Sequence, residues 1–155
     1  MTPYADTNFF TRTYLELPES EDADNLLITA KAGESAPLPI TWLHRVETLN
    51  AFQLHVFLAQ KAGQMFISPE QAALAQANFQ SDIANAQFLR IVAVPAQELE
   101  ARFEDLSLRH TARHGFRTYD LLHVASALVL ECDYFWSFDS KASKLASLEG
   151  LATRG

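Results

Sequence analysis

A single cysteine, Cys132, stands among 155 residues, so no internal disulfide can form and no zinc cluster built on cysteines is available. That scarcity fits a reducing compartment, and a cytoplasmic location is expected. No apolar run reaches the length of about 18 residues that spans a membrane. No basic stretch at the N-terminus leads into an apolar one, so neither membrane insertion nor export is expected. Positive charge is also short, with 12 Lys and Arg against 19 Asp and Glu and a net charge of −7. The chain as a whole has no attraction for nucleic acid, and any phosphate contact must come from a local basic cluster. Repeats and low-complexity tracts are missing too.

What is present is a chain 48% hydrophobic, long enough for one well-filled core and too short for two ordinary domains. One domain over residues 1–155 is expected. Residues 3–6 read as a short strand running into a helix from about Asn8 to Leu15, stopped by Pro18. A second helix starts near Ser20 and closes at Gly33, with Glu21, Asp22 and Asp24 in its first turn, where carboxylates suit the helix dipole. "LPIT" reads as a strand, after which Thr41 caps a long helix through Leu58 and on to Gly63, with Leu43, Val46, Leu49 and Phe52 at helical spacing. Ser68 followed by Pro69 opens another helix. "LRIVAVP" reads as a buried strand ended by Pro95, and helices over about 96–113 and 119–131 follow. "YFWSFD", residues 134–139, is aromatic enough for a strand, and Ser140 caps a last helix to Gly150. This alternation makes a parallel sheet covered by helices on both faces the economical architecture.

In such sheets the functional crevice lies beyond the carboxyl ends of the strands. Asp6 ends the first strand and Asp139 ends "YFWSFD", so two carboxylates can face one crevice. Glu47 lies about two turns into the long helix and Asp120 at the start of "YDLLHVASAL". Spacing alone does not bring those two to the same edge. Asp6, Asp120 and Asp139 are also good helix caps, and Glu47 suits the polar side of an amphipathic helix. A carboxylate offers several lone pairs, so cap and ligand roles do not conflict.

Taken in order, "YADTNFF", "ITWLHRVETLNAF", "FRTYDLLHVASALVL" and "YFWSFDSKASKLASLEGL" resemble PIN domains, and most of all the toxin-type ribonucleases called VapC proteins. The resemblance implies an α/β fold, a three-layer αβα sandwich around a short central parallel sheet. It implies a Mg²⁺- or Mn²⁺-dependent endoribonuclease in which Asp6, Glu47, Asp120 and Asp139 form an acidic quartet that binds metal and carries catalysis. It further implies products with a 5′-phosphate and a 3′-hydroxyl, a homodimer, and a small antitoxin that plugs the crevice with an Arg or Lys. Relatives commonly continue into another strand after the last helix, so a short or missing sheet edge is expected at "LATRG". The chemistry is consistent: Mg²⁺ prefers oxygen ligands, and crowded carboxylates repel until a cation or a proton relieves them.

Supporting candidates are Thr7 and Asn8, within reach of Asp6 or a phosphate, and Ser137, on the same strand face as Asp139. His123 shares a helical face with Asp120, and the commoner role for such a residue is a packed histidine satisfied by a neighbour. Trp42, Phe52, Phe57 and Trp136 read as packing. Arg109, Arg113 and Arg117 recur in "RHTARHGFR" and form a candidate RNA-binding ridge, or else cations that complement a helix C-terminus. The acidic run from Glu16 to Asp24 reads as a solvated face. Two other classes stay open. One is a catalytically idle PIN-like scaffold that binds RNA or protein. The other is an aspartyl-phosphate phosphoryl-transfer enzyme, weakened because Asn8 stands where that class wants a second Asp.

Overall fold

The computed structural model describes residues 1–62 and 67–154. Among the described residues five short strands and eight helices follow in this order: β1 Pro3–Ala5, α1 Thr7–Tyr14, α2 Ser20–Lys31, β2 Leu38–Ile40, α3 Trp42–Lys61, α4 Pro69–Asn85, β3 Leu89–Ile91, α5 Ala96–Leu106, α6 Ala112–His114, α7 Thr118–Val129, β4 Tyr134–Trp136, α8 Ser140–Leu148 and β5 Ala152–Thr153. All strand pairs are parallel. The strands are arranged as β1-β4-β5 in one ladder and β2-β3 in another.

Side-chain alternation along β1 and β4 builds the layers. Successive residues of a strand point to opposite faces, and Ala5 and Trp136 enter a core with Phe9, Phe10, Phe52 and Phe79 from α1, α3 and α4. Tyr4 and Phe135 enter a second core on the other face, with Leu106, Leu121, Val124 and Leu145 from α5, α7 and α8. Helices therefore cover both faces of the sheet, as in the expected three-layer αβα sandwich.

The sheet differs from a continuous one at the boundary between β1 and β2, which lie side by side without a backbone ladder. Two other bonds close this seam. At one end the Ala36 N–H donates to the Met1 carbonyl at 2.9 Å. At the other, the fully buried His44 reaches across from α3: its Nδ1 accepts from the Thr41 N–H at 3.0 Å and its Nε2–H donates to the Ala5 carbonyl at 2.7 Å. An imidazole that accepts at one nitrogen and donates at the other is neutral, and burial holds His44 neutral, pushing its pKa down to about 3.

Local signals explain the helix starts. Thr41 and Ser68 both accept from the backbone three residues on and form capping boxes, the first with His44 and the second with Gln71. α3 is one helix to Lys61, and its expected end at Gly63 lies outside the described residues. Several readings need correction. β1 stops at Ala5, and Asp6 caps α1 from Thr7 onward. Asp139, not Ser140, caps α8. The expected buried strand in "LRIVAVP" is short and half-open, since β3 sits at the rim, pairs only with β2 and exposes Arg90 and Ile91. The helix expected over 96–113 is interrupted by a π-turn at Ser107–Thr111. The sheet edge after the last helix is present but short, as expected: β5 pairs with β4 over Ala152–Thr153 alone.

Trp42 and Phe57 are corrected as well. Phe52 and Trp136 are core residues, whereas Trp42 is 50% and Phe57 55% exposed. Val46, expected on the buried stripe of α3, is 56% exposed. Trp42 and Val46 line an open cleft of about 600 Å³ with Glu47, Tyr119 and Leu122.

Candidate active site

The carboxyl ends of β1 and β4 meet directly, since the Asp6 N–H donates to the Trp136 carbonyl at 3.1 Å. Asp6 is buried, and both of its oxygens accept hydrogen bonds: Oδ1 from the Phe9 N–H at 3.0 Å, Oδ2 from the Ser137 hydroxyl at 2.6 Å. The same Ser137 Oγ accepts from the Asp139 N–H at 2.9 Å, so one hydroxyl sits between the two strand-end acids. Burial pushes the Asp6 carboxyl up to about 6, and the charge of Asp139 adds to that push, while His123, Ser137 and the Phe9 amide pull against it.

Glu47 arrives from α3. Its Oε1 accepts from the Thr7 hydroxyl at 2.6 Å and from His123 Nε2 at 2.5 Å. Burial opposes its charge, but the hydrogen bond and charge of His123, with the help of Thr7, outweigh it and hold the carboxyl below its usual range. His123 Nδ1 meets the Tyr4 hydroxyl at 2.8 Å. With both ring nitrogens engaged, His123 is a positioning group for Glu47 and has no lone pair free for a metal. Thr7 serves Glu47 rather than Asp6, and Asn8 Oδ1 accepts from the Phe138 N–H at 2.8 Å, bracing the loop before Asp139.

Asp120 and Asp139 share a cation. Asp120 sits at the third position of α7, and its Oδ2 accepts from the Arg117 N–H at 3.2 Å. The Arg117 guanidinium lies across both acids, 3.3 Å and 3.4 Å from Asp120 and 2.7 Å from Asp139 Oδ2. Asp139 Oδ1 caps α8 by accepting from the Lys141 and Ala142 N–H groups. Three of the acids therefore lie on one open circuit of hydrogen bonds, Asp6 through Ser137 to Asp139 and Asp139 through Arg117 to Asp120, while Glu47 is held beside it by Thr7, the residue after Asp6, and by His123, three residues after Asp120 on α7.

The ridge expected from "RHTARHGFR" is divided. Arg117 belongs to this circuit, whereas Arg109 is engaged elsewhere, its fork spanning Asp105 at 2.7 Å and Glu149 at 2.6 Å. Arg113 is exposed on α6. Arg117 could be singled out from its closeness to Asp120 in sequence; nothing in the sequence marks its reach to Asp139.

Hard divalent ions take oxygen ligands, and the acids with Ser137 offer only oxygen. Among the described residues no three His, Cys, Asp or Glu side chains are gathered around one point as a metal cluster. The carboxylates are turned instead onto Arg117, Ser137 and the Thr7–His123 pair. The donor set fits Mg²⁺ or Mn²⁺ in kind, and the groups that now hold it are an exposed arginine and two hydroxyls.

No family model and no curated protein matches the chain. A solved structure does: the sarcin-ricin loop cleaving toxin VapC20 of Mycobacterium tuberculosis, at a TM-score of 0.60 and 19% identity, over 92% of this chain and 93% of that one. The chain has a VapC-like PIN fold. In this PIN-type fold the circuit of acids stands at the carboxyl ends of β1 and β4. No described helix is long and apolar enough to cross a membrane.

Proposed function

We propose that the chain is a metal-dependent endoribonuclease, a hydrolase that cuts RNA with water as nucleophile, and the toxin of a toxin–antitoxin pair. The observation that supports this is the open circuit joining Asp6, Asp139 and Asp120, with Glu47 held beside it by Thr7 and His123, carried on a fold shared with a toxin described as cleaving the sarcin-ricin loop. Mg²⁺ or Mn²⁺ would be held by Asp6 and Asp139, with Asp120 and Glu47 binding it through water or orienting the nucleophile. Such an ion supplies a hydroxide-like water and stabilises the phosphoryl and leaving oxygens.

The chain's own groups prepare that site. Ser137 fixes Asp6 and Asp139 relative to each other. His123 and Thr7 keep Glu47 ionised and aimed. Arg117 and Arg113 are the cations offered to the RNA backbone, and Arg109 is left out because Asp105 and Glu149 hold it. A cytoplasmic homodimer and a small antitoxin that inserts a cationic side chain among the acids complete the reading, since an anionic pocket favours such a partner.

Asn8 argues against phosphoryl transfer through an aspartyl phosphate: it stands where that class wants a second Asp, and its Oδ1 is spent on the Phe138 N–H. The deciding experiment is incubation of purified RNA with the full chain and Mn²⁺ or Mg²⁺, with and without chelator, beside Asp6→Asn. Cleavage that needs the metal and falls by about 100-fold or more in the variant supports the nuclease. RNA binding without cleavage under every condition identifies the idle scaffold and overturns the proposal.

A further inference from the structure

Arg117 makes its contacts in an unequal way. Its side chain is 65% exposed, whereas those of Asp120 and Asp139 are 7% and 27% exposed. Both acids are fixed by backbone: Asp139 Oδ1 by two amides of α8, and Asp120 Oδ2 by the Arg117 amide. The guanidinium is the exposed member, an arm laid over anchored carboxylates. Two other cations close by are engaged elsewhere: Lys141 sends its ammonium to the Gly115 carbonyl at 3.2 Å, and Arg154 Nε donates to the Ser137 carbonyl at 3.3 Å. Among the described residues Arg117 is the only cationic side chain paired with either acid. The two acids in turn stabilise its charge, Asp120 most and Asp139 next.

A guanidinium and a divalent ion seek the same partners, oxygens of ionised carboxylates. They cannot both occupy the Asp139 Oδ2 direction, and two cations packed against the same pair repel. We propose, on the basis of the nuclease reading above, that Arg117 is the resident counter-ion of the crevice, competing with a divalent cation for Asp120 and Asp139 and displaced when that cation binds. Until then the arm bridges the two acids, relieves their repulsion and holds them in place. Once displaced it stays tethered at the N-terminus of α7, beside the acids, where a phosphate of the RNA backbone can take up its fork.

Two readouts that do not depend on turnover test this on the full chain. In a nitrogen-15 spectrum of the wild type, the Arg117 Nε–Hε signal, assigned by its loss in Arg117→Lys, is expected to move on addition of Mg²⁺ and to return with chelator. In calorimetric titration with Mn²⁺, Arg117→Gln is expected to bind about two- to fivefold more tightly than the wild type, the scale of one exposed ion pair removed from competition, with Arg117→Lys between them. An unmoved signal in a chain that binds Mg²⁺, or equal or weaker Mn²⁺ affinity in Arg117→Gln, overturns the competition and leaves Arg117 as a helix-end tie. If Arg117→Gln does not fold, the wild-type spectrum decides alone. A wild type that takes up neither ion, with RNA left uncut, removes the metal reading itself, an outcome distinct from metal binding with Arg117 unmoved.

Discussion

Arg109 and Arg117 come from the same basic stretch and each spans two carboxylates, yet the two clusters do different work. Arg109 joins Asp105 on its own helix to Glu149 just past α8 through short contacts, and His110 adds a third bond to Glu149 at 2.8 Å. Every charged group there has its partner. The Arg117 cluster sits beside an acid, Asp6, that is buried and pushed up to about 6. The Arg109 cluster stabilises the fold, while the Arg117 cluster carries repulsion and desolvation that the fold must offset. Perturbed carboxyls of that kind gather where chemistry is done.

Substitutions of opposite sign should sharpen the contrast. Because the Asp6 carboxyl titrates near 6 when folded, the folded chain keeps a proton there that the unfolded chain has released above about pH 4. Stability is therefore lost between about pH 4 and pH 6 as Asp6 is forced to ionise. In metal-free buffer Asp6→Asn is expected to be more stable than the wild type at pH 7, by about 2–3 kcal/mol. The difference should vanish near pH 4 in paired denaturant titrations; a gain that does not depend on pH would place the cost elsewhere. Glu149→Gln should do the reverse, losing about 1–2 kcal/mol through weakened bonds to Arg109 and His110 while RNA cleavage stays unchanged. A cleavage defect in that variant would break the distinction between the clusters.

Smaller effects follow. Ser137→Ala removes the hydroxyl between Asp6 and Asp139, costs about 1 kcal/mol, and should raise the Asp6 titration further, as carbon-13 carboxyl shifts would show. Arg113→Gln should weaken RNA binding only severalfold and lower its salt dependence by about one charge, read from affinity against salt concentration.

Much of this was legible before any coordinates. Thr41, Ser68 with Pro69, and the acids at strand ends announce themselves because capping and strand termination are local events. The acidic quartet was named from family resemblance, and its contacts could not be read from spacing. Ser137 contacts an acid 131 positions away, and Glu47 meets His123 from 76 positions away. Trp42 and Val46 misled because helical spacing shows which residues share a face, not whether that face meets a neighbour. The edge position of β3 was hidden for a related reason. "LRIVAVP" is apolar enough for an interior strand, and only the sheet order exposes it.

The seam between β1 and β2 has a mechanical consequence. The sheet is a pair of leaves, and His44 is the pin at the end where Ala5 hands the chain to Asp6. The pin holds only while its ring is uncharged, so its contribution is complete above the ordinary histidine pKa and drains away as acidity approaches about pH 3. Strong acid should spring the leaves at that end first, dismantling the crevice while the aromatic and aliphatic cores still hold. Amide exchange at Thr41, whose N–H rests on the same ring, would rise ahead of exchange in α7 if the pin yields in that order.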